Sequence, residues 1–209
     1  MQQFTGQNFH SLCDSLAAKD SQLGAILQEF GYPPCWTRPN TFETLVLTIL
    51  EQQVSLASAY AAFQRLKEKL PQITPNAILK MSDEELRSCS FSRQKMVYVR
   101  ELAGAICTGR INLQQMEKEE DEVVRKELKA LKGIGNWTVD IYLLHALQRI
   151  DIFPLGDLAL INAIRMVNKA PLTKEEIAVL GEAWRPYRSI ATMIFWHYYI
   201  KQRNIKVLH

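Results

Sequence analysis

The chain has 209 residues, 47% hydrophobic and 22% charged, enough to bury a substantial core as one unit or as two lobes. A formal charge of +3 and a pI near 8.6 permit a nucleic-acid partner without demanding one. No apolar run can span a bilayer, and Met1-Gln2-Gln3-Phe4-Thr5-Gly6 lacks a basic region followed by an apolar core, so a soluble intracellular protein is expected. Cys13, Cys35, Cys89 and Cys107 form no CxxC pair, and His10, His145, His197 and His209 complete no zinc pattern. An iron–sulfur cluster, which needs closely spaced thiolates, is excluded, and the cysteines read as reduced, mostly core residues.

Helical periodicity runs through the whole sequence and strand signals are nearly absent, so the expected fold class is all-α. Phe9 to Phe30 reads as one or two helices, ended by Gly31-Tyr32-Pro33-Pro34. Thr41 to Leu70 carries Leu45, Ile49, Leu56 and Phe63 near helical spacing and closes at Pro71. A short helix follows from Pro75, and Ser82-Asp83-Glu84-Glu85 is a capping box that launches Leu86 onward. Ser92 starts a helix running to Cys107. Further segments are expected at Glu119–Leu131, Trp137–Ile150, Asp157–Asn168, Thr173–Trp184 and Arg188–Arg203.

Two short stretches carry chemistry. In Leu131-Lys132-Gly133-Ile134-Gly135-Asn136-Trp137-Thr138, two glycines sit between helical patterns. Such a turn is often no more than a tight helix–helix connection. Glycines also allow close backbone approach, and a helix start offers free N–H groups to a phosphate oxygen. Gly133, Ile134, Gly135, Trp137 and Thr138 are therefore candidate phosphate contacts, with Ile134 plugging the turn into the core. Such contacts hold DNA without reading its sequence. Asp157, at the start of the next helical pattern, suits an N-cap. The same helix end would favour an ionised carboxylate able to stabilise positive charge on a sugar or to orient water.

The string across the hairpin, with Arg38-Pro39, Ile49-Leu50-Glu51-Gln52-Gln53-Val54-Ser55, Ser92-Arg93-Gln94-Lys95, Asp157 and Trp184-Arg185-Pro186-Tyr187-Arg188-Ser189, resembles the helix-hairpin-helix-GPD superfamily of DNA glycosylases. Its 3-methyladenine DNA glycosylase II (AlkA-type) branch is the most similar, over roughly residues 36–205. No β-rich amino-terminal domain precedes the match, so a compact form is expected. The resemblance implies a two-lobed helical fold: residues 41–153 with wedge and helix-hairpin-helix (131–137) as one lobe, 1–40 plus 154–209 as the other, and Asp157 at the cleft.

The resemblance also implies roles. Asp157 takes the catalytic position. Superfamily members that cut the backbone carry a lysine two residues past the second hairpin glycine; here that residue is Trp137, which implies a monofunctional enzyme with water as nucleophile. Gln53, Val54 and Ser55 occupy the DNA wedge, with Gln53 in the inserting slot and Gln52 beside it. Glu51 departs from the small residue common there. Trp137, Trp196 and Tyr187 are expected at the base pocket, where electron-rich rings favour a cationic alkylated purine by about 0.5–2 kcal/mol per contact. Arg93 and Lys95 are candidate phosphate contacts, and Arg188 a structural or phosphate residue. His145 and His197 read as structural. The carbonyls of Lys129, Leu131 and Ile134 match those that can hold a Na+ or K+ ion, and no other cofactor is expected.

The expected activity is base excision repair of 3-methyladenine, 7-methylguanine, hypoxanthine or ethenoadenine in double-stranded DNA by a monomer, in the bacterial cytoplasm and nucleoid or the eukaryotic nucleus. The alternatives are an oxidised-base glycosylase/lyase of the same fold and a non-catalytic helix-hairpin-helix DNA-binding protein.

Overall fold

The computed structural model describes residues 2–205. Among them are thirteen α-helices and, in place of a sheet, an isolated bridge between Gln3 and Arg149. The helices are α1 (Phe9–Ala17), α2 (Ser21–Phe30), α3 (Phe42–Glu51), α4 (Leu56–Lys69), α5 (Pro75–Lys80), α6 (Asp83–Ser88), α7 (Arg93–Cys107), α8 (Leu113–Met116), α9 (Asp121–Lys129), α10 (Asn136–His145), α11 (Leu158–Asn168), α12 (Lys174–Glu182) and α13 (Arg188–Gln202). No helix among the described residues is long and apolar enough to cross a membrane.

Capping residues decide where the helices begin. Asp20, Thr41, Ser55, Ser82, Ser92 and Asp157 each accept a first-turn backbone N–H, satisfying a donor that the helix itself cannot. The expected capping box is present at Ser82 with Glu85. Asp20 splits the first predicted segment into α1 and α2. The 41–70 pattern is likewise two helices: Gln53 takes the left-handed conformation (φ 58°), and Ser55 caps a fresh start. The end of α10 falls at His145, short of Ile150, because the next residues turn to meet the N-terminal segment. Phe4 N donates to Gln148 O (3.0 Å), Ile150 N to Gln2 O (3.3 Å) and Gln3 Nε2 to Leu147 O (2.9 Å).

The chain divides into two units. One holds residues 2–37 and 143–205, the other 38–142. The second boundary therefore lies inside α10, where the sequence suggested 153; the pairing of 147–150 with Gln2–Phe4 accounts for the difference.

In the first unit, α13 is the axis. Ser189 through His197 are all buried, as in a helix enclosed on every side. Around it pack α1, α2 and α11 through Phe9, Leu16, Leu23, Leu160 and Ile164, each side chain contributing about 1.5–3 kcal/mol on full burial. Trp184 packs against Phe153 and Phe195 and donates Nε1–H to Asp20 Oδ2 at 2.8 Å.

In the second unit the corresponding helix is α3, in which Phe42 and Thr44 to Glu51 are buried and Glu43 is partly exposed. Helices α4 and α7 pack on it, and α5 packs on α7. This fixes the C-terminal end of α3, and with it the loop 52–55.

Candidate functional site

Asp157 sits at the end of a turn closed by its own N–H on Pro154 O (2.8 Å) and caps α11. Its Oδ1 accepts from Leu160 N at 2.8 Å and from Trp196 Nε1 at 2.9 Å. The carboxylate is half-buried at the N-terminus of α11. The cap bond of α11 and the indole bond both go to Oδ1.

Trp196 is buried, with 9% exposure, and lies flat on the His145 ring at 5.4 Å with 9° between planes. Nδ1 of His145 is in turn 2.9 Å from Trp36 O. His145, expected to be structural, supports the indole that holds Asp157, a role that no local motif announces. His197 is structural in the way expected, with Nε2 on Phe30 O at 3.1 Å. His209 lies outside the described residues.

Tyr187 and Trp196 share α13 and its N-terminal cap, but nine residues, roughly 13 Å along a helix axis, separate them. The Tyr187 ring lies under Lys19 Nζ at 5.9 Å. Arg188 is engaged by Asp151 through both carboxylate oxygens, at 2.7 and 2.9 Å, and by Glu182 at 3.2 Å. Of its two readings, the geometry is that of structural support. Trp184 is buried in the core.

The second unit carries the hairpin between α9 and α10. Gly133 has φ 88°, and a β-carbon there would overlap the Tyr98 ring, so conformation and packing both require glycine. Gly135 has open space around its Cα, which leaves the backbone approachable. Ile134 and Leu131 are buried and anchor the turn. Arg125 of α9 pairs with Asp140 of α10 at 2.6 Å, bracing the two helices. Trp137 is half-buried and Thr138 buried, both in the first turn of α10.

The loop after α3 leaves Gln53, Val54 and Ser55 exposed, while the residues just before it are tied down. Glu51 makes a two-pronged pair with Arg38, at 2.6 and 2.8 Å. Lys95 donates Nζ to Leu50 O at 2.6 Å, capping the C-terminus of α3, and burial lowers its pKa from the usual lysine value. Arg93 stands exposed at the start of α7. Gln52 donates Nε2 to Gly133 O and to Thr138 Oγ1, both at 2.9 Å.

The carbonyls of Lys129, Leu131 and Ile134 belong to the end of α9 and the turn after it, where helix carbonyls lack intrahelical partners. Leu131 O also accepts Ile134 N at 3.2 Å. An all-oxygen set of this kind suits a hard cation. Among the described residues no group of three or more His, Cys, Asp and Glu could hold a metal ion.

The chain is similar to several known proteins. DNA-3-methyladenine glycosylase 1 of Schizosaccharomyces pombe is 31% identical over 74% of this chain and 71% of its own length. The putative DNA-3-methyladenine glycosylase YfjP of Bacillus subtilis is 28% identical over 84% of this chain; the matched part is 65% of that protein, just under two thirds. The structure of the S. pombe 3-methyladenine DNA glycosylase in complex with abasic DNA matches with a TM-score of 0.85 and 28% identity, over 92% of this chain and 97% of that one. Residues 46–188 match the HhH-GPD base excision DNA repair family, so the chain belongs to the HhH-GPD superfamily of base excision DNA repair proteins.

Proposed function

We propose that this protein is a monofunctional DNA glycosylase that hydrolyses the N-glycosidic bond of alkylated purines in double-stranded DNA. The observation that carries the reading is the Asp157 carboxylate, fixed by the α11 N-terminus and the Trp196 indole N–H. The names of its relatives, DNA-3-methyladenine glycosylases of bacteria and yeasts, support the substrate class.

In this reading the hairpin N–H groups at Gly135 and the start of α10 take a phosphate, with Arg93 adding charge nearby. A monovalent cation held by the carbonyls of Lys129, Leu131 and Ile134 would add positive charge there. Gln53, Val54 and Ser55 enter the duplex as the damaged nucleotide leaves the stack, which costs a few kcal/mol. Trp137 and Trp196 favour a cationic base by cation–π attraction. As the glycosidic bond breaks, its electron pair goes to the base, and an N-alkylated purine leaves neutral. Asp157 stabilises the positive charge on the deoxyribose and orients the water that attacks C1′, and the water proton passes to the carboxylate or to solvent. The product is an abasic site. No amine nucleophile occupies the lyase position, because residue 137 is tryptophan.

The protein acts in this reading as a monomer, wherever the cell keeps its DNA. The test is release of 3-methyladenine and 7-methylguanine from methylated duplex by the wild type and by Asp157→Asn. Release by the wild type alone supports the reading, and equal release overturns the role of the acid. Borohydride trapping of a covalent adduct would instead indicate a glycosylase/lyase. DNA binding without release from any lesion would indicate a non-catalytic DNA-binding protein.

A further inference from the structure

Three consecutive residues at the end of α3 are each tied to a different segment. Leu50 O is held by Lys95 of α7, Glu51 by Arg38, and Gln52 by the hairpin. Immediately after them the chain becomes exposed, and Gln53 takes φ 58°, a conformation that a non-glycine residue holds only where its surroundings impose it. Ser55 closes the loop by capping α4.

We infer that Gln52 is a positioning residue that joins the phosphate-gripping hairpin to the exposed loop 53–55, so that docking on DNA and insertion of the wedge occur as one rigid action. This rests on the glycosylase reading above. The carboxamide has two N–H donors, and both are used. One goes to Gly133 O, in the turn, and the other to Thr138 Oγ1, in the first turn of α10. The Gly133 carbonyl can only accept, so the amide nitrogen must face it, which fixes the orientation of the group. Gly133 is itself locked, by its positive φ and by the Tyr98 ring beneath it. Its carbonyl is therefore a rigid post, and Gln52 is moored to it. A hairpin seated on its phosphate then carries the loop to one fixed place.

The test uses Gln52→Met, which keeps the length of the side chain and removes both donors. Single-turnover release of a methylated purine is measured from two duplexes, one with the lesion paired and one with it in a single-nucleotide bulge. A bulged base leaves the stack with little help from a wedge. Release from paired DNA should fall about tenfold, the worth of roughly two neutral hydrogen bonds, and release from the bulge less than threefold. Each preparation serves as its own control, because a partly unfolded fraction lowers both rates equally. Equal losses on the two duplexes, or no loss on either, would overturn the inference. If the wild type releases no base from either duplex, the glycosylase reading falls. The coupling is then read from 2-aminopurine placed at the lesion position: its fluorescence rise on binding should be smaller in Gln52→Met at equal saturation, and an equal rise would overturn it.

Discussion

The indole N–H of Trp196 and the backbone N–H of Leu160 converge on one oxygen of Asp157, at 2.9 and 2.8 Å. One donor comes from α13 and the other from α11, so two helices of the same unit fix the carboxylate. Trp196→Phe keeps a ring to stack on His145 and removes only the N–H. A hydrogen bond to a charged group is worth about 1.5–3 kcal/mol, so kcat should fall at least roughly tenfold. Single-turnover kinetics should show this with affinity for undamaged duplex kept within about twofold. Unchanged kcat would remove Trp196 from the positioning of the acid.

Asp157 caps α11 and, in the proposed reading, is also the catalytic acid; two substitutions separate the roles. Asparagine caps a helix about as well as aspartate, so Asp157→Asn should change stability by only a few tenths of a kcal/mol. Its excision rate should fall by about 10² to 10³, the usual loss when a preorganised electrostatic group is removed. Asp157→Ala should lose the activity and also about 1 kcal/mol of stability, read from urea midpoints. An active Asp157→Asn would refute the chemical role.

The two hairpin glycines should respond differently to alanine. Gly133→Ala must hold φ 88° and drive a methyl into Tyr98, so it should destabilise the protein by at least about 2 kcal/mol. Gly135→Ala meets nothing within 4 Å and should stay within about 1 kcal/mol of wild-type stability. The added methyl would stand where a phosphate approaches, so binding to undamaged duplex should weaken. Denaturant melts and binding titrations at fixed salt would check both. Wild-type affinity in Gly135→Ala would place the phosphate elsewhere.

Arg38 and Glu51 form a pair with side-chain exposures of 16% and 4%. Removing one partner of such a pair strands the other charge, at a cost of about 3–5 kcal/mol. Arg38→Ala should lower the urea midpoint accordingly. The double variant Arg38→Met with Glu51→Met should recover much of the loss, because no stranded charge remains. A double variant as unstable as Arg38→Ala would contradict this account.

Thiol reactivity should be confined to one cysteine. Burial, with a smaller effect of Asp14, pushes the Cys13 thiol up to about 12, and burial also raises Cys35 and Cys89. Cys107 is exposed. Since thiolate is the reactive form, one of the four thiols should react quickly with Ellman's reagent at pH 8 in the native protein, and all four after unfolding. Two fast thiols would contradict the burial. Cys13 also carries a pH dependence of stability. Above about 9 the unfolded chain loses this proton while the folded protein keeps it until about 12, so stability should decline across that range.

The amino-acid sequence by itself determined the helical class, most helix starts, the glycine hairpin and the position of Asp157. These are local properties: periodicity, capping side chains and turn residues act within a few positions along the chain. The sequence also puts a tryptophan, and no lysine, two residues past the second hairpin glycine. What it could not express were pairings across long stretches of chain. Asp157 meets Trp196 thirty-nine residues away, and Gln52 meets Gly133 eighty-one residues away. The ring of His145 under Trp196, the ring of Tyr98 under Gly133 and the mooring of Glu51 by Arg38 are of the same kind. Each depends on side chains brought together by the packing of helices around α13 and α3, and no spacing rule along the chain encodes such a meeting. The sequence named the acid and the turn; only tertiary packing decided what holds each in place.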